Sequence, residues 1–263
     1  MNSEVSALEP LSGCTVMVTR ATHQADGLVD LLAPLGAEII LQPAIEILET
    51  SSWGRFDAAI KRFEGFSRVV LVSANAARFF FSRVNDPISP NMPAADLARV
   101  EFAAIGSATA EVAADHGVHV ALIPDRSDSG ALADLLESNP TAGKTMVLRA
   151  DRGSAVLGDR LKQAGCPFEQ FPIYQSRDVT EVAPEVQKQM QNNMIDWTTV
   201  TSSAIGASLL NLFGADLLKK TRLASISPTT TAALESLGLK VDAEATDYNM
   251  SGLVDAIVAS AKS

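Results

Sequence analysis

Apolar positions along the chain alternate between short β-branched runs and stretches with helical spacing. Thr15 to Thr19 is one such run; Leu28, Leu31, Leu32 and Leu35 follow at helical intervals, and Gly36 stands where that helix would stop. Ala37 to Leu41 predicts a second strand. Ser51 or Ser52 can cap a helix reaching Phe63, with Phe56, Ile60 and Phe63 on its apolar face. Arg68 to Val72 reads as a buried strand, Ala74 to Phe81 as a helix, Phe102 to Ile105 as a strand, and Ala108 to Asp115 as a helix closed by Gly117. Val118 to Ile123 predicts a strand and Gly130 to Leu136 a helix. The order then resumes: strands at Thr145–Leu148, Phe168–Phe171, Thr198–Val200, Arg222–Ile226 and Lys240–Ala243, and helices at Ala155–Ala164, Glu181–Met190, Ala204–Phe213, Thr229–Leu237 and Ser251–Ala259. Strands alternating with helices predict an α/β fold with parallel sheets flanked by helices.

The second half repeats the first. Under a shift of 129, Val18 meets Val147, Arg20 meets Arg149, Gly36 meets Gly165, Pro43 meets Pro172 and Ser73 meets Ser202. Further along, a shift of 121 superposes Ala103 on Ala224, Ile105 on Ile226, Thr109 on Thr230 and Gly117 on Gly238. The change of offset falls in a loop-like stretch, Asn85 to Pro93, with prolines at 87, 90 and 93. Gln42–Ile47 and Phe171–Ser176 are equivalent, extended and proline-marked, as two crossings between domains would be. The expected organisation is residues 1–43 plus 174–263 as one discontinuous α/β domain and 44–173 as an inserted one. A two-stranded linker would join them, with a cleft between.

In open parallel sheets ligands bind beyond the carboxyl ends of the strands. The residues there are Arg20, Ser73-Ala74-Asn75, Gly106-Ser107 with Thr109, Arg149, Ser202-Ser203, and Ser227 with Thr229 and Thr230. Small and hydroxylated residues opening helices suit an anion, because backbone N–H groups, hydroxyls and the helix dipole all favour negative charge. Helix capping alone accounts for any single loop. Recurrence at equivalent positions in both copies points to a shared binding site.

Composition narrows the partners. Lys plus Arg is 21 and Asp plus Glu 31, for a net charge of −10, and aromatics are 5% of 263 residues. No basic tract is present to neutralise phosphates, so nucleic acid is not an expected partner. No apolar run approaches the ~20 residues that span a bilayer, and Met1-Asn2-Ser3-Glu4-Val5 carries an acid where a signal peptide carries a base. Cys14 and Cys166 make no disulfide framework, and the cytoplasm is the expected compartment. His116-Gly117-Val118-His119 lacks a third ligand for a metal. Phosphate-loop, Gly-x-Ser-x-Gly and dinucleotide glycine motifs are absent. Tyr174, one of two tyrosines, lies in the second crossing, where it can either pack or donate a proton.

Taken in series, Val16-Met17-Val18-Thr19-Arg20, Val72-Ser73-Ala74-Asn75-Ala76, Ala104-Ile105-Gly106-Ser107-Ala108-Thr109-Ala110, Pro172-Ile173-Tyr174, Thr201-Ser202-Ser203-Ala204 and Ser227-Pro228-Thr229-Thr230-Thr231 resemble the uroporphyrinogen-III synthase family over nearly the whole chain. The resemblance implies two α/β domains on a two-stranded linker. It implies a lyase that takes hydroxymethylbilane, a linear tetrapyrrole with acetate and propionate arms, removes its hydroxyl as water and closes the ring with inversion of the last pyrrole. It implies no cofactor and no metal. Tyr174 would assist hydroxyl departure as a proton donor. Ser73, Ser107, Thr109, Ser202, Ser203, Thr229 and Thr230, with the loop amides around Ala74, Asn75, Gly106 and Ser227, would hold carboxylates, helped by Arg20 and Arg149. A monomer is expected, with transient hand-over from the preceding pathway enzyme. One departure stands out: Ser227 occupies a place where the family usually has glycine, and its Cβ is expected to shift the loop amides. The competing readings are a non-catalytic two-domain binding module for an anionic metabolite and a phosphosugar-handling α/β enzyme, the latter without an evident general base.

Overall fold

Two parallel sheets carry the structure, and the strand registers in both follow the offsets of the sequence repeat. The computed structural model describes residues 9–90 and 94–261; the acidic N-terminal pentapeptide and Asn91-Met92-Pro93 lie outside the described residues. In chain order the main elements are β1 (Thr15–Val18), α1 (Asp26–Leu32), β2 (Glu38–Leu41), β3 (Ile45–Glu49), α2 (Gly54–Ile60), β4 (Phe66–Leu71), α3 (Ala74–Val84), β5 (Glu101–Ala104), α4 (Ser107–Asp115) and α5 (Ser129–Ser138). They continue with β6 (Lys144–Ala150), α6 (Val156–Gln163), β7 (Phe168–Asp178), α7 (Pro184–Gln191), β8 (Trp197–Val200), α8 (Ser203–Phe213), β9 (Arg222–Ser225), α9 (Pro228–Ser236), β10 (Ala243–Glu244) and α10 (Met250–Ala261). Single helical turns at Ala94–Leu97 and Ala215–Leu218 fall between the longer elements.

The chain divides into two compact units, Met1–Glu46 with Arg177–Ser263 and Ile47–Ser176. The first holds the sheet β10-β9-β8-β1-β2 and the second holds β7-β6-β4-β5, with β3 beside β7. Tyr174 therefore belongs to the second unit. Val16 pairs with Ile39 as Thr145 pairs with Phe168, and Val16 faces Trp197 as Thr145 faces Arg68. Trp197 pairs with Arg222 as Arg68 pairs with Glu101. Even the weakest contacts match: Ala224 with Ala243, and the isolated bridge Ala103 with Leu122. Each sheet thus takes two strands from one copy of the repeat and the rest from the other.

Both faces of each sheet are buried, which is why these strands read as continuous apolar runs. In the second unit Val69, Leu71, Met146 and Leu148 pack with Phe56, Phe80 and Phe102, whereas Val70 and Val147 meet Leu132, Leu136, Leu157 and Leu161 of α5 and α6. In the first, Val16, Val18 and Trp197 pack against Leu28, Leu32, Leu253 and Ile257. Gly36, at φ 84°, ends the turn after α1 in the left-handed conformation that favours glycine.

Two predicted strands shrink. Val118–Ile123 supplies only the Leu122 bridge, and of Lys240–Ala243 only Ala243 enters β10. Val120 is nonetheless buried and Val241 partly so, and their apolar character reflects packing rather than a ladder. The helix expected from Ser51 or Ser52 to Phe63 starts at Gly54, where the Ser52 hydroxyl accepts the Gly54 N–H at 3.3 Å, and stops at Ile60; Phe63 is buried from a 3₁₀ turn. No helix among the described residues is long and apolar enough to cross a membrane.

Candidate active site

In the second unit, β4 ends at Leu71 and the chain swings into α3 through Ser73, at φ −168° and ψ 160°. The Ser73 hydroxyl oxygen accepts the Ala76 N–H at 3.0 Å, the ordinary work of an N-cap. It also lies 3.0 Å from the Tyr174 hydroxyl. Tyr174 comes from β7, where the register shifts: Arg149 faces Pro172 and Ala150 faces Tyr174, so Ile173 is an extra residue. A bulge of this kind re-aims the next side chain. The Tyr174 ring stacks on Phe79 of α3 with centroids 5.6 Å apart and planes 6° from parallel. Burial pushes its phenol above the ordinary tyrosine value; the Ser73 hydrogen bond, the Arg149 charge and Asn75 act in the opposite direction, and Asp151 adds to the rise. The sequence-predicted residues Ser73, Asn75, Arg149 and Tyr174 are thus one cluster.

Gly106 opens α4, and Thr109, buried, donates its N–H to the Gly106 carbonyl at 3.1 Å. Ser107 is exposed. A Cβ on Gly106 would overlap the Ser127 hydroxyl, so close approach fixes glycine here. At the equivalent place in the first unit, Ser227 stands at φ −166° and ψ 159° and its hydroxyl oxygen accepts the Thr230 N–H at 3.4 Å. That extended geometry is open to any residue. The serine therefore caps α9 without backbone strain. Thr230 is buried with its hydroxyl 3.2 Å from that of Ser227, while Thr229 is exposed.

Ser202 repeats Ser73 almost angle for angle, at φ −167° and ψ 159°, and accepts the Ile205 N–H at 3.3 Å; Ser203 beside it is exposed. Its unit has no tyrosine to match, since the residue equivalent to Tyr174 is Ile45. Arg20 reaches Met250 Sδ at 3.2 Å and Gln24 Oε1 at 3.4 Å. Arg149 instead donates to Ala150 O, Gln170 Oε1 and Gly153 O at 3.2, 2.8 and 2.7 Å.

Beside Tyr174 and Arg149 lies a cavity of about 140 Å³. Its other walls include Val72, Arg152, Ser154, Leu157 and Gln170, which the sequence analysis did not assign to a site. Arg152, on the loop just after β6, was open to the same reading that selected Arg149; Phe79 and Gln170 were hidden among core-like positions. His116 stacks on Phe81 with centroids 4.5 Å apart, and no group of three His, Cys, Asp or Glu among the described residues is placed to hold a metal.

The fold and the capped loops define a class: a two-unit α/β protein of the architecture seen in uroporphyrinogen III synthases. A mutant synthase from the extremely thermophilic bacterium Thermus thermophilus superposes with a TM-score of 0.71 over 95% of this chain and 99% of that one, at 13% identity. The Helicobacter pylori protein gives 0.62 over 94% and 99%, at 16% identity. In sequence, the chain is 27% identical to the uroporphyrinogen-III synthase of Synechococcus elongatus across 95% of its length and 97% of the relative's. It is 26% identical to that of Chlorobaculum parvum over 87% and 91%. The family model described as uroporphyrinogen-III synthase HemD matches residues 26–255, and the chain belongs to that family, a lyase of tetrapyrrole biosynthesis.

Proposed function

We propose that Tyr174 is the proton donor that removes the hydroxyl of hydroxymethylbilane, and that the capped loops of the two units hold the carboxylate arms of the substrate while the ring closes. The observation that carries this reading is the fixing of Tyr174 by Ser73 on one side and Phe79 on the other, at the edge of a cavity. A tyrosine phenol is protonated at neutral pH, the form a donor requires, and burial keeps it protonated further into the alkaline range. As the proton passes from the phenol to the leaving oxygen, the carbon–oxygen bond breaks and the pyrrole nitrogen pushes electrons into the azafulvene that results. Water departs. The terminal pyrrole attacks through its substituted carbon, giving the spiro intermediate whose rearrangement inverts that ring, and the proton lost on rearomatisation restores the phenol. General-acid assistance of this type contributes ~10² to 10⁴ in rate.

Arg20, Ser73, Ser107, Thr109, Arg149, Ser202, Ser203, Thr229 and Thr230, with the amides around Ala74, Asn75, Gly106 and Ser227, are the residues to which we assign substrate binding. Holding a flexible linear tetrapyrrole in a closing conformation supplies most of the remaining advantage, and disfavouring closure without inversion is a matter of shape. In this reading the enzyme works in the cytoplasm as a monomer, fed by transient hand-over from the enzyme that makes hydroxymethylbilane. The test is a coupled assay in which hydroxymethylbilane is generated enzymatically and the isomer of the product is read. The type III isomer is expected; binding of the tetrapyrrole without turnover would favour the metabolite-binding alternative.

A further inference from the structure

We propose that a basic pocket at the amino ends of β8 and β9 binds a small phosphorylated anion, at a site separate from the one assigned to the reaction and independent of it. The pocket holds about 360 Å³ and lies wholly within the first unit. Lys219, Lys220, Arg222 and Lys240 line it, against the carboxylates of Asp196 and Asp242. Both acids are already engaged. Asp196 Oδ2 accepts the Thr15 N–H at 2.8 Å, and Asp242 pairs with Lys240 while accepting the Leu223 N–H at 3.1 Å. Lys220 donates to the Gln191 carbonyl at 2.9 Å, and the Arg222 guanidinium lies over the Trp197 ring at 4.2 Å. Neither contact neutralises the cation, and Lys219, Lys220 and Arg222 form no ion pair among the described residues. A chain of net charge −10 thus keeps a positive pocket.

The second unit carries the same pocket without the charge. Under the shift of 121, Lys219, Lys220, Arg222 and Lys240 fall on Ala98, Arg99, Glu101 and His119, which line the equivalent pocket there. In that unit the strand pair beside the pocket is an ion pair, Arg68 to Glu101 at 2.5 Å, and Arg99 meets Asp96 at 3.4 Å. In the first unit the matching pair is Trp197 and Arg222, and an aromatic face takes the place of the counter-charge. The second unit folds with the same strand order at this edge and needs no cation at 98, 101 or 119, so three of the four charges are not dictated by the architecture. A ring beneath a guanidinium fixes its plane and leaves its N–H edge for acceptor oxygens. A phosphoryl group brings a charge of about −1.5 to −2 and three acceptor oxygens. It can meet that edge and ammonium groups from separate segments together, whereas a carboxylate offers two oxygens in one plane. The volume equals roughly twelve waters at ~30 Å³ each, which admits a diphosphate.

Trp197 is a built-in reporter, because its indole Nε1–H is buried without a hydrogen-bond partner directly beneath Arg222. Inorganic pyrophosphate is titrated into the full chain at constant ionic strength while the indole N–H resonances of Trp197 and Trp53 are followed by NMR. A saturable shift at Trp197 with none at Trp53 is expected, and sodium chloride alone should not reproduce it. No shift, or one that sodium chloride reproduces, overturns the site. An equal response to tricarballylate overturns the phosphoryl class of the ligand. Arg222→Gln and Lys219→Ala should each weaken pyrophosphate binding about tenfold, as loss of one charged partner does. Lys219 is exposed, so its variant tests the pocket without disturbing the core, and thermal unfolding checks that both variants are folded. Binding unchanged in both overturns the location. The readout is binding alone, so the result stands whichever isomer the enzyme yields.

Discussion

At the carboxyl end of the first unit's sheet, hydroxyl groups around β9 and α9 bond one another. Ser225 and Thr231 lie 2.6 Å apart, Thr231 bonds Glu244, and Ser227 meets Thr230. At the same end of the second unit Tyr174 bonds Ser73 and, with Arg149, lines a cavity. The backbone plan is shared, down to the ψ and φ of Ser73 and Ser202 and the registers of the strands beneath them. What differs is the residue aimed at the capping serine: the bulge in β7 against β6 turns Tyr174 toward Ser73, whereas the residue equivalent to Tyr174 beside the first unit's sheet is Ile45. Duplication supplied two similar anion-friendly ends, and the chemistry we assign rests on the departure from symmetry in one of them.

The sharpest way to break this comparison is to remove the hydroxyl that makes the units unequal. Tyr174→Phe keeps the ring and its stack on Phe79 and deletes the donor. We expect kcat to fall about 100-fold with KM little changed. The pH dependence has a definite sign. Burial raises the folded-state pKa of the phenol, so the stability it contributes is fully present below the ordinary value near ~10 and is lost as pH rises through the higher folded value. Turnover that needs the protonated phenol should likewise persist to alkaline pH beyond that ordinary value. Full activity in Tyr174→Phe would remove the proton-donor role and return the residue to packing.

Gly106→Ser imposes on the second unit what the first already has at Ser227. The new Cβ would overlap the Ser127 hydroxyl, and overpacking of this type costs about 1–3 kcal/mol. Thermal or denaturant unfolding should show the loss, and Ser127→Gly in the same chain should recover most of it. The residue equivalent to Ser127 in the first unit is Tyr248, which is exposed.

Phe79→Leu leaves the Tyr174 hydroxyl in place and removes the ring that holds it. Aromatic stacking is worth about 0.5–1.5 kcal/mol beyond area burial, so we expect kcat to fall about fivefold. The informative comparison is with Tyr174→Phe. If Phe79 acts by positioning the hydroxyl, the double variant should be no slower than Tyr174→Phe alone. Independent losses that multiply would show that Phe79 only packs.

The fold was legible because two kinds of signal agreed. Alternation of strand and helix spacing gave the elements, and the repeat predicted which segments would be equivalent, as Val16–Ile39 and Thr145–Phe168 show. Where the reading failed, it took burial for pairing. Val120 is buried and Val241 partly buried without joining a ladder, and Phe56, Ile60 and Phe63 keep one apolar face across a helix that breaks after Ile60. In the candidate site, the capping serines were readable from local chemistry. The clamp on Arg149 was not, because Gln170 comes from the neighbouring strand, and neither was the bulge at Ile173, which depends on a register that only pairing reveals.

Ser227→Gly is the gentlest change and completes the comparison from the other side, since it gives the first unit the glycine of the second. The backbone at φ −166° needs no glycine, so the substitution relieves no strain. It removes a hydroxyl that caps Thr230 N–H and sits beside the Thr230 hydroxyl. Replacing a serine cap by glycine costs only a few tenths of a kcal/mol, and we expect a shift in unfolding midpoint near the limit of measurement. Activity separates the two views of the loop. If Ser227 only caps, KM for hydroxymethylbilane should stay within about twofold of wild type. A larger rise in KM with stability unchanged would mean that the hydroxyl itself reaches a carboxylate, and the serine would then be a gain over the usual glycine rather than a neutral replacement.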